Sequence, residues 1–195
     1  MSSAPSTTPL FSPTLISPDV AASLPENYTI RPLQHSDYRD GFLDVLRVLT
    51  QVGDVTQAKW DERYRWMSER SDEYFILVIW DGAKVVGAGT LVVERKFIHD
   101  LGVAGHIEDI AVAKDQQGKK LGLKIIQALD YVADKVGCYK VGSHLRQIED
   151  SSADTRSQSI LDCSEANEGF YVKCGFKRAG LEMAHYYDPK LSSKV

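Results

Sequence analysis

The chain has 195 residues, which fits one domain with some excess and leaves no room for a second full one. Hydrophobic residues make up 43% and charged residues 26%, so a core can be buried and the depleted composition of a disordered chain is excluded. Lys and Arg total 23 against 27 Asp and Glu; the formal charge of -4 argues against affinity built on nucleic-acid phosphates, and any anion must be met by a local basic pocket.

Five of the seven prolines fall in residues 1–25 among Ser, Thr and Ala, which predicts a loose, extended tail over residues 1–27. Leu10, Phe11, Leu15 and Ile16 within it are apolar enough to lie on the body, but the loose tail is preferred and they are given no function. A single domain is expected over 28–190. Alternation predicts a strand at 28–33, and Ser36-Asp37 precedes an apolar helical pattern (Tyr38, Phe42, Leu43, Val45, Leu46, Leu49) that ends near Val52-Gly53. A second helix is expected over 57–69, with Trp60, Tyr64 and Met67 as a core stripe. The β-rich runs 74–80 and 84–95 flank Asp81-Gly82 and read as a hairpin with a two-residue turn.

Residues 106–113 read as a strand. Leu121, Ile125, Ile126, Leu129, Val132, Ala133 and Val136 then share one helical face, which Gly137 closes. Residues 138–141 and 160–163 are β-like, and the Ser-rich, charged stretch 142–159 between them is expected to loop out as a mobile insertion. Asn167 is expected to cap a short helix ending at Gly175, and 176–187 to supply the closing strand or strands. The order βααβββαβαβ predicts an α+β or mixed α/β domain.

No apolar run approaches the roughly 20 residues that cross a bilayer, so a membrane is not an expected partner. Cys138, Cys163 and Cys174 are odd in number and lack CxxC pairing, which suggests neither a disulfide framework nor a metal site. The first 30 residues contain no Lys or Arg, which removes the positive n-region of a secretory signal and the Arg-rich face of a mitochondrial presequence, and the cytoplasm is the expected compartment.

The most informative stretch is His106-Ile107-Glu108-Asp109-Ile110-Ala111-Val112, followed by Gln116-Gln117-Gly118-Lys119-Lys120-Leu121-Gly122 and the helix. A Gly-containing loop at a helix N-terminus presents backbone N–H groups that suit a pyrophosphate, although most such loops are solvated connections. Glu108 and Asp109 are adjacent, so on a regular strand they point to opposite faces unless a bulge intervenes; only one is expected to meet a ligand, and their apolar flanks favour burial.

With the downstream Asn167-Glu168-Gly169-Phe170-Tyr171-Val172-Lys173-Cys174-Gly175-Phe176, that loop resembles the GNAT superfamily of acetyl-CoA-dependent N-acyltransferases. Narrower matches look like the eukaryotic glucosamine 6-phosphate N-acetyltransferases: Leu49-Thr50-Gln51-Val52-Gly53, Glu94-Arg95-Lys96, Gly137-Cys138-Tyr139-Lys140 and Ile160-Leu161-Asp162-Cys163. The resemblance runs from about residue 28 to 187, interrupted only by 142–159. It implies a GNAT fold, with a mixed, mostly antiparallel sheet flanked by helices on both faces. It further implies acetyl transfer from acetyl-CoA to the 2-amino group of glucosamine 6-phosphate, without a metal, in a homodimer with shared sites.

The implied roles fall on numbered residues. Ile110, Ala111, Val112 and Ala113 would pair with the pantetheine arm, and Gly118, Lys119, Lys120, Leu121, Gly122 and Leu123 would hold the pyrophosphate. Tyr171 would face the leaving sulfur, the Asp162 carbonyl would orient the amine, and Glu108 and Asp109 would meet the sugar. Thr50, Lys96 and His99, with Tyr139, Lys140 and His185 of a second copy, would take the phosphate. Three features depart from the pattern. His185 stands where Arg is common, Lys120 stands where the loop usually has a Gly, and 142–159 splits one strand. Another amine acceptor, a non-catalytic acyl-CoA-binding module and a Cys163 nucleophile are the rival readings.

Overall fold

The computed structural model describes residues 8–138, 159–160, 163 and 165–177, and these fall into two compact units divided between Leu161 and Asp162. In the first unit, β1 (Thr29–Pro32), β2 (Tyr74–Trp80), β3 (Val85–Arg95), β4 (Val103–Val112) and β5 (Ser159–Ile160) form a sheet in that order. The first four strands are antiparallel, and β5 joins β4 in parallel at Gly105 and His106. Fully buried Leu77, Val78 and Ile79 on β2 and Val86 and Leu91 on β3 make this pair the centre of the core.

Helices α1 (Pro18–Ala22), α2 (Phe42–Leu46), α3 (Gln57–Ser68), α4 (Ile98–Leu101) and α5 (Leu121–Lys135) complete the first unit. Helix α5 buries Leu121, Ile125, Ile126, Leu129, Val132 and Ala133, the face its periodicity announces, and Gly137 follows at φ +82°. Its carboxylate Asp130 is also buried, Oδ1 has no hydrogen-bond partner among the described residues, and burial pushes the acid up to about 7. The mixed architecture agrees with the expected fold class.

Several boundaries differ from expectation. The loose reading of the N-terminal tail fails for residues 8–22: Leu10 N–H donates to the Leu33 carbonyl at 2.8 Å, Leu10 and Phe11 are buried, and Phe11 meets Phe75 edge-on. The first predicted helix is broken into a 3-10 turn (His35–Tyr38) and α2, because Gly41 adopts φ +92° between them. The hairpin connection has four residues, Asp81 to Lys84, because Asp81 Oδ1 accepts the Ala83 and Lys84 N–H groups and draws the turn wider. Strand β4 begins three residues earlier than predicted, and α4 precedes it.

The second unit contains α6 (Glu165–Lys173), which starts before Asn167, so that residue lies in the first turn and is not the cap. The stretches 142–158 and 178–187, to which the insertion and the closing strands were assigned, lie outside the described residues.

Candidate active site

The approach to the Gly-containing loop begins at the end of β4. The Ala113 amide donates to Val86 at 2.9 Å, and strand alternation turns the Val112 amide to the edge on which β5 lies. Among the described residues, β5 covers that edge only at Gly105 and His106. The chain then makes a 3-10 turn (Lys114–Gln116), takes positive φ at Gly118 (+86°) and Lys120 (+60°), and enters α5. The first rung of α5 is Lys124 donating to the Lys120 carbonyl, so the amides of Leu121, Gly122 and Leu123 precede the ladder. A Cβ on Gly118 would meet nothing within 4 Å. This open row of amides at the positive end of a helix dipole fits a pyrophosphate.

Lys120 is in the left-handed region in place of a glycine, at a cost of about 1 kcal/mol. Lys119 is exposed and bonded to its neighbours on the surface. Its ammonium donates to Tyr28 Oη (2.8 Å) and Gln116 Oε1 (2.7 Å), while Tyr28 Oη donates to Gln116 Oε1 (2.6 Å). These three side chains fasten the loop to the start of the sheet. Sequence reading missed Tyr28 and Gln116, whose link spans 88 positions.

On the opposite face of the sheet, α2 and α3 stand over a cavity of about 880 Å³. Its walls include Tyr64 and Met67 of α3, Thr90 and Val92 of β3, and both Glu108 and Asp109 of β4. A β-bulge explains how two adjacent carboxylates reach one cavity. Thr90 pairs with Glu108 and Ala88 with Ala111, so Gly89 faces two residues, and Asp109 takes φ +55°. Ile110 consequently turns to the α5 face, where its Cδ1 comes within 2.7 Å of the place a Gly89 Cβ would occupy. The bulge that sequence reading allowed as the exception is present, so both carboxylates line the cavity, and the expectation of their burial is corrected: both are exposed. The supposed core stripe is also divided, since Trp60 is buried and donates to the His35 carbonyl, whereas Tyr64 and Met67 are partly exposed in the cavity wall. Burial, with the Asp37 carboxylate nearby, pushes the Tyr64 phenol up to about 12, which removes it as a base.

Lys96 lies one residue beyond β3 and its Nζ is 2.7 Å from Glu94 Oε2, which His106 Nε2 also meets at 3.0 Å. Hydrogen bonds from Lys96 and then His106 hold the Glu94 carboxyl below its ordinary range. Thr50 is exposed in the turn after α2, away from the cavity lining. His99 lies in α4, and its side chain is outside the described set, as are Tyr139, Lys140, Asp162 and His185. Among the described residues no cluster of three or more His, Cys, Asp or Glu could hold a metal, and no helix is long and apolar enough to cross a membrane.

In the second unit, the Gly-Phe pair of the downstream motif ends α6. Phe176 N–H donates to the Tyr171 carbonyl and Gly175 N–H to Val172, with Gly175 at φ +95°. This double bond pattern is a Schellman cap, and it needs the glycine. The Phe176 ring then rests 6.1 Å from the Tyr171 ring, fixing that tyrosine's place on the last turn.

The acetyltransferase (GNAT) domain pattern matches residues 72–178, more than half of the chain. Over 161 residues the chain is 43% identical to glucosamine 6-phosphate N-acetyltransferase of Candida albicans, covering 82% of this chain and 96% of the relative. The chain belongs to the GNAT acetyltransferases, in the glucosamine 6-phosphate N-acetyltransferase family. A Dictyostelium discoideum relative, glucosamine 6-phosphate N-acetyltransferase 1, is 38% identical over 85% of this chain and 96% of its own. The crystal structure of glucosamine-6-phosphate N-acetyltransferase from Arabidopsis thaliana superposes with a TM-score of 0.71 at 35% identity, covering 84% of this chain and all of that one. The sheet and helices described above are therefore a GNAT fold, and the protein is an acetyltransferase of a family that uses acetyl-CoA.

Proposed function

We propose that the protein transfers the acetyl group of acetyl-CoA to the 2-amino group of glucosamine 6-phosphate, giving N-acetylglucosamine 6-phosphate and CoA, a step toward UDP-N-acetylglucosamine. The observation that carries this reading is the bulge at Asp109, which aims two carboxylates into one cavity on the strand that also leads to the amide loop. The names of the relatives support the acceptor.

The amine nitrogen attacks the thioester carbon, the C–S bond breaks, and CoA leaves as a thiolate that takes up a proton while the amine gives one up. In this reading Glu108 and Asp109 orient the amino sugar and accept its proton, directly or through water. Backbone amides of residues 110–113 pair with the pantetheine arm and donate to the developing oxyanion. Residues 118–123 hold the pyrophosphate. Tyr171 donates to the thiolate, and the Asp162 carbonyl orients the amine. The sugar phosphate is met by Thr50, Lys96 and His99 and, from a second copy, Tyr139, Lys140 and His185. An apolar tip at Phe97 (94% exposed), Ile98 (63%) and Leu101 (67%) supports a surface covered by another copy. The acidic chain and its free cysteines suit the cytoplasm, and the reaction uses no metal.

Thiol release from acetyl-CoA tests the reading. Release should require glucosamine 6-phosphate, exceed that with a lysine peptide or an aminoglycoside, and give intersecting double-reciprocal lines, because direct attack needs no acyl-enzyme. Glu108→Gln and Asp109→Asn should each lower kcat/KM about 100-fold while the KM for acetyl-CoA stays close to the parent's. Release indifferent to the sugar phosphate, or parallel lines, would overturn it.

A further inference from the structure

The face of β3 and β4 that lines the cavity continues beyond it. Thr90, Val92 and Glu94 alternate onto this face along β3, and Glu108 and His106 stand opposite Thr90 and Val92 on β4. Past them, one oxygen of Glu94 receives both the Lys96 ammonium (2.7 Å) and His106 Nε2 (3.0 Å). These partners come from three places: the strand end, the connection after it and the neighbouring strand. Lys96 has a side chain only 26% exposed although it leaves the sheet at a turn.

We propose that Glu94 is a positioning residue for the acceptor's phosphate, holding the Lys96 ammonium, braced by His106, on the cavity face of the sheet. The proposal rests on the reading of Lys96 as a phosphate contact. A lysine in solution samples many rotamers and must give up that freedom to hold an anion; here the ordering is already present before ligand arrives. The ammonium has three N–H donors, and Glu94 takes one, which leaves two for phosphate oxygens. An opposing effect exists, since the Glu94 carboxylate repels a phosphate dianion. Its charge is shared by two donors on one oxygen, and the pinning outweighs the repulsion.

Steady-state kinetics of single and double variants decides the matter. Glu94→Ala should raise the KM for glucosamine 6-phosphate about ten-fold, while kcat and the KM for acetyl-CoA stay within about two-fold of the parent. Glu94→Gln, which keeps an acceptor oxygen in place, should recover part of the loss. In a Lys96→Ala background, Glu94→Ala should add nothing further, because its effect passes through the lysine. A lower KM in Glu94→Ala would mean that repulsion wins, and an undiminished effect in the Lys96→Ala background would mean that Glu94 acts elsewhere; either overturns the proposal. A parent enzyme inactive on the sugar phosphate would instead defeat the functional reading beneath it.

Discussion

On the α5 face of the sheet, a Cβ on Gly87, Gly89 or Gly105 would lie between 2.4 and 3.0 Å from the nearest atom of Ile125 or Leu91, whereas on the α3 face Thr90, Val92, Glu108 and Asp109 look into about 880 Å³ of space. Both faces belong to the same two strands. The close-packed face carries the helix whose first turn forms the amide loop, so that loop is fixed by contacts that leave little room for an added methyl group. The open face is roofed by two short helices, and side chains there can be exchanged without disturbing α5. A constant ligand on the rigid face and a selected acceptor on the adaptable one is what this division suits.

The sharpest way to break the comparison is Gly89→Ala. Ile125 Cγ2 sits 2.4 Å from the new Cβ and is anchored directly to its own Cβ, so it cannot swing clear, and stability should fall by about 3 kcal/mol in urea titration. Met67→Ala, on the open wall, should cost less than about 1 kcal/mol because its side chain is already partly in water. Equal losses would show that the two faces are packed alike.

A smaller effect tests the weak point of the tight face. Asp130 is pushed up to about 7 from 3.8, so between those values the folded state keeps a proton that the unfolded chain releases. Stability contributed by this group is therefore lost as pH rises through that window and reaches its minimum above it. Asp130→Asn, which cannot ionise, should gain on the order of 1–2 kcal/mol over the parent at pH 8 and little at pH 4. Thermal midpoints at the two pH values give the answer, and a gain independent of pH would contradict it.

Smallest is Lys120→Gly. Relief of the left-handed backbone should stabilise the fold by about 1 kcal/mol, while the KM for acetyl-CoA rises no more than a few-fold for the lost cation. A large rise would make the lysine a principal phosphate contact and tie the rigid face to charge as well as shape.

What could be read in the sequence was local and periodic. Helix α5 and the β2–β3 pair followed from spacing, and the amide loop followed from where a strand met a helix. The bulge was anticipated only as a condition, because φ +55° at Asp109 goes with two β4 residues facing the single Gly89 across the ladder, a pairing that exists only once β3 and β4 meet. The Glu94–Lys96–His106 cluster was hidden for a similar reason: its members are close only after β3 and β4 pair. Gly41 could have signalled the break between the 3-10 turn and α2, but the apolar pattern ran straight through it. The packed N-terminal segment was obscured by its own composition, since Pro and Ser outnumber the two side chains that anchor it.

That anchoring has a consequence for synthesis. Phe11 rests against Phe75, and Leu10 is held by Leu33, so these two residues wait for partners made later in synthesis. At roughly 5–20 residues per second, Phe75 is polymerised some 3–13 s after Phe11. During that interval Phe11 has no ring to pack against, so the N-terminal segment closes only after β2 has been made. A fusion partner placed at the N-terminus would stay tethered to this late-closing flap, so its folding and the domain's would compete within the same few seconds.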